Sequence, residues 1–303
     1  MYEQFFGLRE KPFSLTPDTE YFYRYSGHQE ALNVLLVALR NGEGFVRVVG
    51  EVGTGKTLLC RQLLKILQKD CATVYLPNPL LTQRELYQAI SSELQIDVAA
   101  DATAQQLNQS ILKELIRQRE QDRPVVILLD EAQAMPLQSL EALRLLSNLE
   151  TEKEKLLHVF FFAQPEFEQR LAQPELRQLQ QRITFSYRLP SLRQQEVPGY
   201  LEHRLQVAGC QQDGVFLPAA AKLIHSASLG VPRVINLLAH KALLVAYGKG
   251  QPKVDKKLVR MAIKDNQPDS GVSAPAGWLS FVTDLGAVVA IAVVTLLLLK
   301  VLL

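Results

Sequence analysis

The residues whose chemistry is easiest to name lie between positions 50 and 57, where Gly50-Glu51-Val52-Gly53-Thr54-Gly55-Lys56-Thr57 fits the spacing GxxxxGK[ST]. Glycine at the bends lets the backbone wrap closely around an anion, whose charge is met by loop N–H groups and the start of a following helix. The lysine supplies a cation for the β- and γ-phosphates of a nucleoside triphosphate, and the hydroxyl that follows can ligate Mg2+. With Leu58 included, residues 50 to 58 are the expected phosphate-binding segment. A second acidic element, Asp130-Glu131, follows the wholly apolar run Val125 to Leu129. Asp130 is expected to hold the metal together with Thr57, and Glu131 to polarise an attacking water as general base. Two acids after an apolar strand can also be a solvated strand end; the phosphate loop upstream in the same chain favours the chemical reading.

The elements that must position these groups are visible around them. Phe45 to Val49 is rich in strand formers, the glycine-studded segment follows, and the leucines of residues 58 to 67 recur at helical spacing, so the order is strand, loop, helix. Ala72 to Leu76 reads as a second strand, and Thr82 with Glu85 has capping-box spacing ahead of Leu86, Ile90 and Leu94. Residues 104 to 119 carry apolar positions at helical steps before the buried strand that ends at Asp130. A leucine-rich segment, Pro136 to Leu149, then leads to a fourth strand at Leu156 to Phe162 and a fifth around Ile183 to Tyr187. Strands alternating with helices imply a parallel sheet covered on both faces. Beyond Pro190 the strand signals stop, and helical stretches follow at 191 to 208, 218 to 229, 232 to 247 and 254 to 265, with Gly209, Gly230 and Gly248 at C-cap positions. Residues 266 to 277, rich in Pro, Gly, Ser and Asp, read as a linker.

Composition narrows the classes. With 33 basic and 31 acidic residues the net charge is +2, which gives no global field of the kind a dedicated nucleic-acid binder carries. The three cysteines form no CxxC pair and the five histidines no HExxH motif, so neither a disulfide framework nor a zinc site is expected. The N-terminus MYEQFFGLREKPF lacks the basic start and apolar run of a secretory signal, so the bulk of the protein is expected in the reducing cytoplasm.

The segments FFGLREKPFSLTPD, GEVGTGKT, LLDEAQ, LRLLSNLE, AQPEF and GVPRVINLL together resemble the AAA+ ATPases, and within them the ExeA/GspA type of secretion-associated ATPase, including MshM-like proteins of type IV pilus biogenesis. The resemblance implies an α/β fold in which a P-loop AAA+ parallel-sheet αβα core is followed by a helical lid domain. Its parts fall at 1–40 for an N-terminal, adenine-side segment, 41–190 for the core and 191–265 for the lid. It also implies ATP as the nucleotide with Mg2+, Gln164 as a sensor at the γ-phosphate, Arg233 as the lid arginine reaching that phosphate, and Arg182 as a finger acting on a neighbouring subunit. Plainer readings stand beside these: Gln164 as a helix-start polar residue, Arg233 as a surface arginine, Arg182 as a solvated one, with Arg177 the competing finger. A finger in trans implies a homo-oligomer, and the family implies components of a pilus or secretion machine as partners. Ala163 replaces the glycine usual in the family's GQPEL, and no peptidoglycan-binding module is carried over.

The C-terminal stretch, 278–303, is of a different kind. Leu285 to Leu299 holds no charged residue, and the 26 residues from Trp278 to Leu303 would reach about 39 Å as a helix, against a hydrocarbon core of roughly 30 Å. A transmembrane helix is the expectation. Lys249, Lys253, Lys256, Lys257, Arg260 and Lys264 on its N-terminal flank place the ATPase on the cytoplasmic side of the inner membrane; a buried helix or an oligomerisation stripe is the plainer reading. The functional expectation is a membrane-anchored ATPase that assembles a type IV pilus or type II secretion apparatus. The alternative is a DNA-associated AAA+ regulator of the transposition-targeting kind, which those basic residues favour and the near-neutral charge and apolar tail oppose, so nucleic acid is not an expected partner.

Overall fold

The computed structural model describes residues 1–148 and 155–266. The chain opens with α1 (Tyr2–Phe5) and α2 (Ser26–Arg40), continues through β1 (Phe45–Val49), α3 (Lys56–Leu67), β2 (Ala72–Leu76), α4 (Gln83–Glu93), α5 (Ala104–Glu120) and β3 (Val125–Leu129). It proceeds through α6 (Leu137–Leu146), β4 (Leu157–Ala163), α7 (Glu166–Leu171), α8 (Arg177–Arg182) and β5 (Ile183–Arg188), and then through α9 (Val197–Val207), α10 (Pro218–Ser228), α11 (Pro232–Gly248) and α12 (Lys256–Asn266). All strand pairs are parallel, in the order β2-β3-β4-β1-β5.

Of the three interior strands, β3 and β4 have every residue buried, which is why Val125 to Leu129 and Leu157 to Ala163 are uninterrupted apolar runs rather than alternating ones. At the edge β5 alternates half-buried and exposed residues, as one-sided cover requires. Helices supply the cover on the strength of local signals. Thr82 caps α4 and Thr103 caps α5, each accepting from the backbone N–H three residues on while Glu85 and Gln106 return a bond to the cap. Leu107, Ile111 and Leu115 of α5 and Leu86 and Ile90 of α4 then point into the same core as Ile127 and Phe161.

Several expected bounds shift. The fourth strand runs from Leu157 to Ala163, and residues 191–196 lie outside α9, which begins at Val197. Gly248 is not the cap of its helix: it is the last residue of α11, Lys249 is the C-cap, and the left-handed residue that follows is Gly250 at φ 61°. Gly209 does take the left-handed conformation, at φ 96°, while at the end of α10 the turn starts one residue early, with Leu229 at φ 52°. Residues Met1–Ala262 form one unit. Within it α9 and α11 meet the N-terminal segment, where Arg9 N–H donates to Ala208 O at 2.7 Å and Tyr2 Oη lies 2.9 Å from His240 Nδ1. Among the described residues no helix is long and apolar enough to cross a membrane; the expected span at 278–303, and the linker but for Asn266, lie outside them.

Candidate functional site

Strands β3, β4 and β1 are neighbours, and each releases a polar group at its C-terminal end: Asp130-Glu131 after β3, Gln164 after β4, and the glycine-rich loop after β1. Ligands of open parallel sheets bind off those ends. The loop turns by virtue of Gly53 at φ 82° and Gly55 at φ 93°, the latter capping α3. Thr54 is buried and its hydroxyl donates back to Glu51 O at 2.8 Å, closing the turn. Below it lies His28, its Nε2 3.3 Å from Thr54 O; burial pulls this imidazole down to about 4, so it is neutral at physiological pH.

Lys56 is the first residue of α3 and only 4% exposed. Its Nζ donates to Gly50 O at 2.7 Å and to Glu51 O at 2.9 Å, so the ammonium is folded into the loop's own carbonyls. Burial lowers its pKa, and the carboxylates of Glu131 and Asp130 act against that. Asp130 is buried as well, which pushes its carboxyl above the ordinary carboxylate range; bonds from the Thr57 hydroxyl and the Glu131 N–H, the latter at 3.0 Å, hold it back. One carboxylate and one hydroxyl side by side are hard oxygen donors suited to Mg2+, which completes its shell with phosphate oxygens and water. Among the described residues no group of three or more His, Cys, Asp and Glu side chains could hold a metal by itself.

Glu131 stands in the left-handed region, φ 52° and ψ 37°, a conformation that costs a residue with a side chain about 1–3 kcal/mol. The strain aims the carboxylate. Its Oε2 accepts from Gln133 Nε2 at 2.5 Å and from Gln164 Nε2 at 2.8 Å, and Gln164 N–H donates to Gln133 Oε1 at 2.9 Å. The short turn carrying Gln133 is tied down by Arg170, whose guanidinium donates to Gln133 O and to Met135 O. Gln133 was not among the expected site residues; its only sequence signal is a second amide two places after the acid, in LLDEAQ.

The first turn of α11 closes the site from above. Arg233 N–H donates to Gly53 O at 3.2 Å, and a Cβ on Gly53 would stand 2.5 Å from the Arg233 Cβ. Gly53→Ala is therefore expected to lower the thermal midpoint and weaken nucleotide binding together, by about 1–3 kcal/mol in stability from the left-handed backbone alone. A scan with and without nucleotide checks this, and an unchanged midpoint would remove Gly53 as the seat of α11.

The remaining wall is formed by residues 14–18 with Tyr200, Arg204 and Asn236, and with the loop it borders a cleft of about 210 Å³. Arg204 organises that wall. It is buried, donates to Pro12 O at 2.6 Å and to Tyr200 Oη at 3.3 Å, and lies 4.6 Å over the Tyr21 ring. From the other side Arg61 donates to Pro17 O at 3.0 Å and Lys65 to Thr19 Oγ1 at 2.6 Å. The N-terminal segment is thus held by both α3 and α9.

Of the expected site residues, Val52, Gly53, Gly55, Lys56, Thr57, Leu58, Glu131 and Arg233 line this cleft. Gly50 and Glu51 line a neighbouring cavity on the far side of the loop, with Arg188. Gln164 touches Glu131 instead, its Nε2 donating to Oε2 at 2.8 Å. Arg182 is not in its own chain's cleft: at the end of α8 it donates to Ser147 Oγ at 3.0 Å, while Arg177 at the start of that helix is exposed.

Comparison with known proteins agrees with the geometry. Residues 39–171 match the family model described as an AAA domain. The chain is 46% identical over 254 residues to general secretion pathway protein A of Aeromonas hydrophila, which covers 84% of this chain and 46% of that protein. It therefore spans about half the length of that curated relative. Among solved structures it is similar to Cdc6p from Pyrobaculum aerophilum, with a TM-score of 0.65 at 17% identity over 84% of this chain and 70% of that one. The Aeropyrum pernix ORC2 protein, solved as ADPNP–ADP complexes, gives a TM-score of 0.63 at 18% identity over 84% and 71%. At such identities the likeness shows the fold alone.

Proposed function

Because this chain belongs to the AAA+ ATPases, of the type represented by general secretion pathway protein A, we propose that it binds Mg-ATP in the cleft beneath α11 and hydrolyses it. The observation that supports this reading best is the meeting of the phosphate loop, Asp130-Glu131 and Gln164 at three adjacent strand ends. Lys56 leaves the Gly50 and Glu51 carbonyls to bind the phosphates; Thr57 and Asp130 would hold Mg2+, which supplies charge neutralisation at the phosphates when bound. Glu131, aimed by Gln133 and Gln164, takes the proton of the attacking water. Arg233 brings positive charge from the lid. Removing the Gln164 donor by Gln164→Ala is expected to cut turnover about a hundredfold while leaving nucleotide affinity nearly unchanged, as steady-state hydrolysis and equilibrium binding would read; an equal loss in both would make Gln164 a binding residue.

The working form is a homo-oligomer in which Arg182 or Arg177 completes a neighbour's site, since neither lines its own. The wider role is assembly of a secretion or type IV pilus machine at the cytoplasmic face of the inner membrane, with residues 278–303 as a single-pass anchor. The whole reading is tested by fractionating the full chain beside a form ending at Pro268, just past α12, and assaying hydrolysis in both at several concentrations. Membrane retention of the long form alone, with hydrolysis per chain that rises with concentration, is the expected result. Two soluble forms whose hydrolysis rises with DNA would replace it with a DNA-associated regulator.

A further inference from the structure

The far end of α11 carries a surface that the nucleotide site does not use. Tyr247, in the last turn, meets Phe5 of α1 edge-on with ring centroids 5.7 Å apart, and Leu244 lies one turn back on the same helix. These three apolar side chains are 37–41% exposed. Immediately beyond them the loop to α12 carries Lys249 and Lys253, both exposed, and none of Lys249, Lys253, Lys256 and Lys257 makes an ion pair among the described residues. Lys256 and Lys257 occupy the first turn of α12, where the helix dipole disfavours cations. Asp255 Oδ1, accepting from the N–H groups of Lys257 at 2.8 Å and Leu258 at 2.9 Å, offsets this only in part. Local stability does not select lysine there. Glu3, on α1, is paired with the N-terminal ammonium at 2.7 Å.

We infer that this corner of the lid, Phe5, Leu244 and Tyr247 with Lys249 and Lys253, lies on an anionic lipid surface. Aromatic rings beside lysines suit the headgroup boundary, the rings seated at its depth and the ammonium groups among the phosphates. A nucleic-acid backbone would match the lysines but leave Leu244 nothing to bury. The chain beyond the described residues supports the same occupant, because α12 is followed within a short linker by Leu285 to Leu299, a run with no charged residue. This inference rests on the proposed anchor for its setting, and its test separates the two.

The purified full chain is titrated with vesicles of phosphatidylcholine alone and with phosphatidylglycerol added, and hydrogen exchange is followed in residues 1–8 and 240–257. Binding is expected to strengthen with phosphatidylglycerol, to weaken with salt, and to lose about fivefold for each of Lys249→Gln and Lys253→Gln. The anionic vesicles alone should slow exchange at the end of α11, and ATP binding by the variants shows that they fold. Binding equal on both vesicles, with no change in exchange at α11, overturns the surface and leaves the anchor standing. Binding to phosphatidylglycerol vesicles without any to phosphatidylcholine keeps the surface and removes the anchor. Protection of the same residues by an oligonucleotide but not by lipid overturns the proposal in favour of nucleic acid.

Discussion

Replacing Lys56 with alanine is expected to weaken Mg-ATP binding by at least about a hundredfold, roughly 3 kcal/mol, as titration with a fluorescent nucleotide would read it. The size follows from where the ammonium lies. It is buried between two loop carbonyls and is the cation whose field reaches both Asp130 and Glu131. Truncation removes the phosphate's charge partner and also leaves two acids near one another beside a site that must accept a polyanion. Arginine should not rescue it: the Gly50 and Glu51 carbonyls frame a compact ammonium, and the planar guanidinium places its donors in a different geometry. Near-normal affinity in Lys56→Ala would move the phosphate site elsewhere.

Glu131→Gln is expected to leave binding within about twofold and to reduce turnover at least a hundredfold, the range in which a positioned general base contributes. Glutamine keeps the size and an acceptor for the Gln133 and Gln164 amides, so the ring of hydrogen bonds survives while the base is lost. Bound triphosphate should therefore accumulate, and a filter-binding assay with γ-labelled nucleotide would show it. Hydrolysis at the wild-type rate would sink the assigned base and leave Asp130 as the remaining acid at that strand end.

The parts of this site written in contiguous residues were legible in the sequence. Gly50 to Thr57 depends on local spacing, and the burial of β3 and β4 is written in their apolar runs, so the loop, the acid pair and the core strands are found without a structure. The strand order is not local. Nothing in residues 157 to 163 says that β4 lies between β3 and β1, yet only that order brings Gln164 within 2.8 Å of Glu131. Gln133 escaped because its role depends on the left-handed turn at Glu131, which no side-chain type announces. Arg204 escaped for a related reason: its partners are the carbonyls of Pro12 and Ser14, nearly two hundred residues away, and a carbonyl partner leaves no mark on sequence. Of the last four helices, α10 and α11 begin where the sequence reading puts them, at Pro218 and Pro232, and α12 begins two residues later than read, whereas at α9 residues 191–196 are left irregular by the backbone.

The bond between Arg233 and Gly53 has a mechanical meaning. Helix α11 has 17 residues, a length of about 25 Å, and its first turn is fastened to the phosphate loop while its last carries Tyr247. If nucleotide binding moves that loop, such a helix would act as a lever with its fulcrum there: a tilt of about 10° at the fastened end would carry the far end through roughly 4 Å. The gain in travel is set by helix length alone, and shortening α11 by a turn would reduce it by about a fifth.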